Sequence, residues 1–354
     1  MRRLVIIAAV AAQVLVLAIM AGQREWVVRT GERVLVRTAP IDPNDPMRGE
    51  YARLNYEIST VPRSLCRDGV AEWFGDAAAY SREFRDRRVY ALLELDESGV
   101  ASLTALTDRR PASGLFLRGR TEWIGSRFVR VRYGIEALFM EQGRALEFER
   151  MAGSVMVGVP VNAEIAGGSD GLAVLRDYSW EPLGIQVELV RREAGTVRAA
   201  TGGDAATRPG VSGAIVTLKN HGTAPLAIVD APGGRSFRLI AADGMDESQY
   251  EPVGGYEPPR PGPRDVILLQ PGDSHRTTLD FSAPSWHVRK VARAGESEVA
   301  EAVALESLGQ AWGAWFRIEY VPPGRAEVAG LPHAESIRHA RLRSRRFSPA
   351  GGVD

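Results

Sequence analysis

The feature that most constrains this chain is an unbroken apolar segment near its amino terminus. Leu4 to Gly22 contains a single polar residue, Gln13. As a helix rising about 1.5 Å per residue, the segment is roughly 28 Å long. That length nearly crosses a bilayer core of about 30 Å. We therefore predict a transmembrane anchor over residues 1–23.

A cleaved signal peptide is the alternative for this segment, because Arg2 and Arg3 form a short positive leader. No clear Ala-x-Ala cleavage site precedes Gln23, and no cysteine follows that could accept a lipid. These observations favour an uncleaved anchor.

Two opposing sequence signals bear on the orientation of the chain, that is, on which side of the membrane the part after the apolar segment (the body) lies. Arginines are more numerous after the segment than before it, which alone would place the body inside. Long domains, however, translocate largely regardless of charge, and a short positive leader is typical of an export signal. The prediction is a single-pass inner-membrane protein with its body on the periplasmic side.

Composition limits the classes of protein to which the remainder can belong. Of 354 residues, 45% are hydrophobic and 25% charged, as in a folded body with about two domains. Lys plus Arg and Asp plus Glu both number 44, so the net charge is zero and nothing indicates nucleic-acid binding. The single cysteine, Cys66, excludes an intramolecular disulfide framework and any multi-cysteine metal site.

Beyond the anchor, short strand patterns separated by turns predict a mainly β fold. We expect an antiparallel barrel-like or strongly curled sheet over residues 24–191, a linker over 192–213 and an immunoglobulin-like β-sandwich over 214–348. The strands predicted in the first domain cover residues 51–58, 89–95, 100–106, 115–124, 128–140, 146–151, 155–165 and 172–175. A helix is expected within residues 71–88.

The second domain carries similar patterns and one interruption. Its predicted strands cover residues 214–220, 227–230, 237–242, 266–270, 275–281, 314–321 and 337–344. Residues 296–308 have apolar positions at helical spacing, which predicts one amphipathic helix inserted in the sandwich.

Two short motifs carry a family resemblance. The first contains Pro40, Asp42-Pro43, Arg48-Gly49, Tyr51, Leu54 and Tyr56; the second, after Gly119, contains Tyr133-Gly134-Ile135-Glu136, Phe139 and Gly143. With these markers, residues 24 to about 176 resemble the GDYXXLXY family of bacterial membrane-anchored proteins of unknown function. The acidic position of the motif is here Glu50 instead of Asp, and the Glu-Gly pair usual after the second motif reads Met140-Glu141-Gln142-Gly143. The resemblance implies a membrane-anchored domain and does not extend to the second domain.

The motif residues have a structural and a functional interpretation. In the structural one, Gly49 permits a tight turn, Arg48 pairs with Glu50 or with turn carbonyls, and the tyrosines brace a strand. In the functional one, the motif is a recognition surface close to the membrane. The candidate binding residues are Arg48, Gly49, Glu50, Tyr51, Leu54, Tyr56, Tyr133, Gly134 and Glu136.

The sequence contains no constellation of residues typical of catalysis. The first domain contains no lysine and no histidine, which excludes a Ser-Lys or a Ser-His arrangement there. In the second domain, His275 follows Asp273 and Ser274 in what reads as a turn. Glu147 and Glu149 share one strand face and are expected to pair with Arg130 or Arg132.

The sequence also lacks the residue spacing that is typical of a metal site. No two histidines are three or four residues apart. We expect neither a metal nor another cofactor.

The preferred hypothesis is therefore a membrane-anchored binding or assembly protein that partners another envelope or membrane protein. The alternatives are a carboxylate-dependent hydrolase that uses Glu50 and Glu136, and a purely structural spacer.

Overall fold

The structure is a computed structural model, and it describes residues 2–38, 51–74, 84–125, 128–139, 141, 143, 148, 159–191, 211–242, 249–253, 255–291, 301–309, 311, 313–350 and 352–353. The chain divides into two compact units. The first contains Met1–Glu149 and Val161–Ser179, and the second contains Arg150–Pro160 and Trp180–Asp354.

A long apolar helix opens the first unit. Helix α1 spans Arg2–Thr30, and its large apolar side chains from Val5 to Met20 are exposed. It is the one helix among the described residues that is long and apolar enough to cross a membrane. A single helix of this kind next to the amino terminus is compatible with a membrane anchor or with a signal sequence.

The first unit is built on one curled β-sheet. The strands and the second helix of this unit are β1 (Glu32–Arg37), β2 (Tyr51–Arg53), β3 (Thr60–Pro62), α2 (Asp68–Glu72), β4 (Arg88–Leu95), β5 (Val100–Thr107), β6 (Phe116–Ile124), β7 (Phe128–Arg132), β8 (Ala137–Phe139), β9 (Val161–Gly167) and β10 (Ala173–Trp180). Eight strands form the sheet in the order β10-β9-β1-β5-β4-β6-β7-β3, and β2 pairs separately with β8.

The sheet differs from the antiparallel prediction at β1. β1 pairs with β5 in the parallel direction, with Leu35 opposite Val100, while β1 and β9 are antiparallel. A parallel pair requires a long crossover connection, and the chain between Arg37 and Val100 supplies it. The buried side chains of β1 and β9, such as Val34, Val36 and Ile165, pack in the interior of the unit.

The second unit contains several small sheets around a large hydrophobic core and a smaller one. Its strands and short helix are β11 (Leu183–Arg191), β12 (Val211–Asn220), β13 (Leu226–Val229), β14 (Phe237–Ala241), β15 (Tyr250–Pro252), β16 (Val266–Leu269), β17 (Ser274–Asp280), β18 (His287–Lys290), β19 (Val303–Ala304), β20 (Phe316–Tyr320), α3 (Arg325–Val328), β21 (Leu342–Arg343), β22 (Phe347–Ser348) and β23 (Gly352–Val353). The sheets are β11-β12-β17, β13-β16, β15-β18-β19 and β14-β20-β22-β23, with β21 also on β20.

Aromatic side chains fill the core of this unit. Phe281, Phe316 and Phe347 are fully buried, and the rings of Phe281 and Phe347 stack with centroids 5.9 Å apart. The strands of the two units confirm the prediction of a mainly β fold. The likeness of the second unit to an immunoglobulin sandwich stays a prediction.

Two carboxylates are also buried in the second unit, and each is paired with arginine. Glu319 lies between Arg238 and Arg343, and Glu181 accepts two hydrogen bonds from Arg338, of 2.5 and 2.9 Å. Burial opposes ionisation of Glu319, but its two guanidinium partners hold the pKa of that carboxyl below its usual range.

The division between the units falls before β11. This strand pairs with β12 along its whole length, from Leu183 opposite Asn220 to Arg191 opposite Val211. Residues 183–191 were assigned to the first domain from sequence, and residues 211–213 to the linker. Both segments lie in the second unit because they form one antiparallel pair.

Several predicted elements have a different form. Of the helix expected within 71–88, the structure describes residues 71–74 and 84–88: α2 ends at Glu72, Phe84 is in a 3-10 turn and β4 begins at Arg88. Residues 303–308, part of the predicted inserted helix, form β19 and a 3-10 helix. Apolar spacing over so short a segment does not separate these alternatives.

Two predicted strands are also wrong in part. The strand at 337–344 is reduced to β21, although Ile337 bridges to Ala227. Phe148, in the predicted strand 146–151, is helical and packs edge-on against Tyr178 with ring centroids 5.2 Å apart. Glu147, Glu149 and the greater part of the linker lie outside the described residues.

Candidate functional site

The two family motifs lie side by side in the first unit. β2 and β8 pair in antiparallel register, with Tyr51 opposite Phe139 and Arg53 opposite Ala137. The amide of Leu54 then donates to the carbonyl of Glu136 at 2.8 Å. We call these two segments, Tyr51–Tyr56 and Tyr133–Phe139, the motif pair.

Two buried tyrosines cross-link the motif pair and the turn that follows it. The hydroxyl of Tyr56 donates to the carbonyl of Ile135 at 2.6 Å, and that of Tyr133 donates to the carbonyl of Ile58 at 2.8 Å. Burial and, secondarily, the charge of Glu136 raise the pKa of both phenols above the ordinary range. Both tyrosines are therefore neutral hydrogen-bond donors at physiological pH.

The carboxylate of Glu136 closes the turn between β7 and β8. Its Oε1 accepts the amide of Tyr133 at 2.5 Å and its Oε2 accepts the amide of Gly134 at 2.9 Å. Gly134 has φ +82°, a left-handed conformation that side chains other than glycine rarely adopt. This turn breaks the strand predicted over 128–140 into β7 and β8.

The predicted binding residues therefore fall into three groups. Leu54, Tyr56 and Tyr133 are buried and cannot present their side chains at a surface, which corrects their assignment to one. Gly134 is exposed and Glu136 is half-buried. Arg48, Gly49, Glu50 and the side chain of Tyr51 lie outside the described residues.

Arg130 and Arg132 have contacts that the sequence did not reveal. Arg130 contacts Glu122 and Asn55, and Arg132 contacts Asp86. Their predicted pairing with Glu147 and Glu149 lies outside the described residues and stays a prediction.

His275 was expected to belong to a turn with Asp273 and Ser274. Its Nε2 instead lies 2.7 Å from Oδ2 of Asp230, which also accepts the hydroxyl of Thr277. The aspartate is 45 residues away in sequence, so local spacing could not have found it.

Cys66 is a free, buried thiol. Burial raises the pKa of the Cys66 thiol to about 11, although Arg67 and Arg63 act in the opposite direction. A thiol in such a site is largely protonated and unreactive at neutral pH.

A second candidate site lies where α1 joins the sheet, and sequence reasoning missed it. A groove of about 1290 Å³ lies between the last turns of α1, the loop after β5 and the loop after β9. We call it the junction groove. Its lining includes Gln23 and Trp26 from α1, Arg110 from the first loop and Asp170 from the second.

The last turn of α1 is held tightly against the sheet at this groove. Val27 is buried, and Arg176 donates to the carbonyl of Val28 at 2.5 Å. A Cβ on Gly31 would lie 2.9 Å from the carbonyl oxygen of Gly167, so only glycine fits there. The helix therefore enters the folded unit without a flexible hinge between Val27 and β1.

Polar contacts also shape the wall of the groove. Arg110 donates to the carbonyl of Ser169 at 3.1 Å, which ties the two loops together. Arg118 and Asp170 form an ion pair of 2.9 Å. Within the part of the chain that the structure describes, no group of three or more potential metal ligands comes together.

No curated protein and no solved structure matches the chain significantly. One family model does match, under the description "GDYXXLXY protein", and it covers residues 13–177. The match begins inside α1 and ends in β10, so it contains the second half of the apolar segment, both motifs and the junction groove. Residues 13–177 thus form a domain that belongs to the GDYXXLXY family.

Proposed function

We propose that this chain is a single-pass inner-membrane protein whose body lies on the periplasmic side and binds another envelope or membrane protein. The observation that carries the proposal is the continuity of α1. Its apolar side chains are exposed from Val5 to Met20, and its last turn is locked to the sheet through Val27 and Gly31. Exposed apolar surface of this extent is stabilised by lipid.

This architecture supports binding near the membrane surface. A domain attached without a hinge is restricted to a narrow layer beside the lipid, where its effective concentration toward other membrane proteins is raised. Within that layer the motif pair exposes the turn at Gly134. We propose that this turn, with the predicted binding residues Arg48, Gly49, Glu50 and Tyr51, contacts the partner.

The hydrolase alternative that uses Glu50 and Glu136 has less support. Both oxygens of Glu136 already accept backbone amides, so acting as a base would cost the turn its hydrogen bonds. A general base also needs a free lone pair directed at substrate. The geometry around Glu136 favours a structural role for this carboxylate.

Two experiments test the proposal. First, α1 should keep the full chain in the membrane after alkaline carbonate extraction, and a carboxyl-terminal reporter should be active only on the periplasmic side. Release into the soluble fraction, or a reporter active only in the cytoplasm, would contradict the topology.

Second, a photoreactive residue at position 137 should capture a protein in native membranes. Ala137 is exposed in β8 of the motif pair, three residues after Gly134, whose left-handed conformation would be strained by a side chain. The control is the same residue at position 95, where Leu95 is 45% exposed on β4 and outside the motif pair. Equal capture at both positions, or none at 137, would contradict binding through the motif pair.

A further inference from the structure

We propose that the junction groove binds the headgroup of a zwitterionic aminophospholipid, with Arg110 on the phosphate and Glu32 on the ammonium group. This inference rests on the proposed membrane anchorage of α1 and adds a specific lipid contact to it.

The position of the groove places it at the depth of the headgroups. The apolar segment of α1 ends at Ala21 and Gly22, and the lining of the groove begins at Gly22 and continues to Gln23 and Trp26. Four residues of helix from Gly22 to Trp26 rise about 6 Å. The polar layer on each side of a bilayer core is of similar thickness, roughly 5–7 Å.

The exposure of Trp26 supports the same depth. Its side chain is 69% exposed although it lines the groove beside the buried Val27. Tryptophan is enriched at the membrane–water boundary because its ring is apolar and its N–H is a hydrogen-bond donor. At the headgroup layer, a side chain left exposed by the protein fold is covered by lipid.

The charges of the groove select the kind of headgroup. Four charged residues line it, and Arg118 and Asp170 neutralise each other in an ion pair. The remaining two are Arg110 and Glu32, and both are exposed. One exposed cation and one exposed anion in a single groove complement a ligand that carries one phosphate and one ammonium group.

The donors and acceptors of these two residues are suited to that ligand. Arg110 uses one N–H on the carbonyl of Ser169, which fixes the side chain and leaves further donors for a phosphate oxygen. The carboxylate of Glu32 makes no hydrogen bond or ion pair with any residue that the structure describes. Glu32 is the first residue of β1, separated from the end of α1 only by Gly31, and its backbone is fixed by pairing with Gly167.

The test uses the full chain reconstituted in bilayers of equal parts phosphatidylethanolamine, phosphatidylcholine and phosphatidylglycerol. Lipid that stays bound after transfer to detergent is identified by native mass spectrometry. We expect about one phosphatidylethanolamine per chain. Arg110→Ala should reduce its retention about tenfold, the effect of one charge-assisted hydrogen bond.

Two further variants separate this site from general attraction to the membrane. Arg109→Ala is the matched control, because Arg109 is adjacent and exposed but pairs with Asp68 and does not line the groove. It should retain lipid as the unmodified chain does. Glu32→Gln should abolish the preference for ethanolamine over choline and glycerol headgroups while phosphate binding persists.

Equal retention of all three lipids, a preference for phosphatidylglycerol, or equal losses in the Arg109→Ala and Arg110→Ala chains would overturn the inference. Carbonate extraction of the same membranes distinguishes its failure from that of the anchor. A chain that resists extraction but retains no specific lipid refutes the headgroup site alone. A chain that is extracted refutes both the membrane anchor and the headgroup site.

Discussion

The motif pair and the junction groove, both in the family domain, use their polar groups in opposite ways. In the motif pair, the hydroxyls of Tyr56 and Tyr133 and both carboxylate oxygens of Glu136 are engaged by the backbone. In the groove, Arg110 has spare donors and Glu32 is exposed. The first arrangement stabilises the fold, and the second leaves capacity to bind.

This contrast reverses the expectation from the sequence. The motifs that identify the family largely explain how the sheet is held together, because buried polar groups must be hydrogen-bonded. The site open to a ligand is formed by residues from α1 and two loops that carry no recognisable pattern. A motif that marks a family can therefore mark its architecture as well as a binding surface.

The largest difference in unfolding free energy between the motif pair and the junction groove is expected when one aromatic side chain of each is replaced by alanine. Tyr133→Ala removes a buried ring and leaves the carbonyl of Ile58 without its donor, so we expect a loss of about 3–5 kcal/mol in unfolding free energy. Trp26→Ala, at an exposed ring, should change it by less than about 0.5 kcal/mol. Denaturant unfolding of the full chain in detergent measures both, and similar losses would remove the contrast.

Substitutions of the two carboxylates, Glu136 in the motif pair and Glu32 in the groove, should give a smaller difference in unfolding free energy. Glu136→Ala leaves two turn amides without their acceptor and should cost about 2 kcal/mol, whereas Glu136→Gln keeps one acceptor oxygen and should cost about half as much. Glu32→Ala should have almost no effect on stability. The midpoints of thermal unfolding rank these variants. A Glu32→Ala loss as large as that of Glu136→Ala would show that the groove, too, is part of the structural framework.

The sequence predicted those features that depend on local pattern. The alternation of Leu54, Tyr56 and Ile58 correctly indicated their burial, even though Ile58 lies in a 3-10 helix and not in a strand. Hydrophobic alternation reports which side chains face the core more reliably than it reports hydrogen bonding of the backbone.

The features that it missed depend on contacts between distant residues. Nothing local shows that Leu183–Arg191 pairs with Val211–Asn220 across the linker, or that Asp230 meets His275. The junction groove is of the same kind, since α1, Arg110 and Asp170 are far apart in sequence. The charge of Arg110 was visible, but its position beside the end of α1 was not.

The smallest predicted effect is the loss of stability on removing one hydroxyl of the motif pair, that of Tyr56. This effect should depend on pH. Tyr56→Phe keeps the ring and removes only the hydrogen bond to Ile135, so it should cost about 1 kcal/mol near neutral pH. Burial and the charge of Glu136 raise the pKa of Tyr56 above its ordinary value of 10.0. The folded state therefore holds this proton more tightly than the unfolded state does, and the stability that it contributes is present below pH 10 and lost as the pH rises.

The advantage of the unmodified chain over Tyr56→Phe should accordingly shrink above pH 10, because phenylalanine has no proton to lose. Unfolding free energies of both chains between pH 7 and 11 measure that difference directly, and titration of the other tyrosines cancels because both chains contain them. A difference that grows with pH would mean that the Tyr56 phenolate is stabilised in the fold. In that case the motif pair would contain an ionisable hydroxyl available for chemistry. Its polar groups would then not all be engaged in holding the fold, and the two regions would no longer differ in this respect.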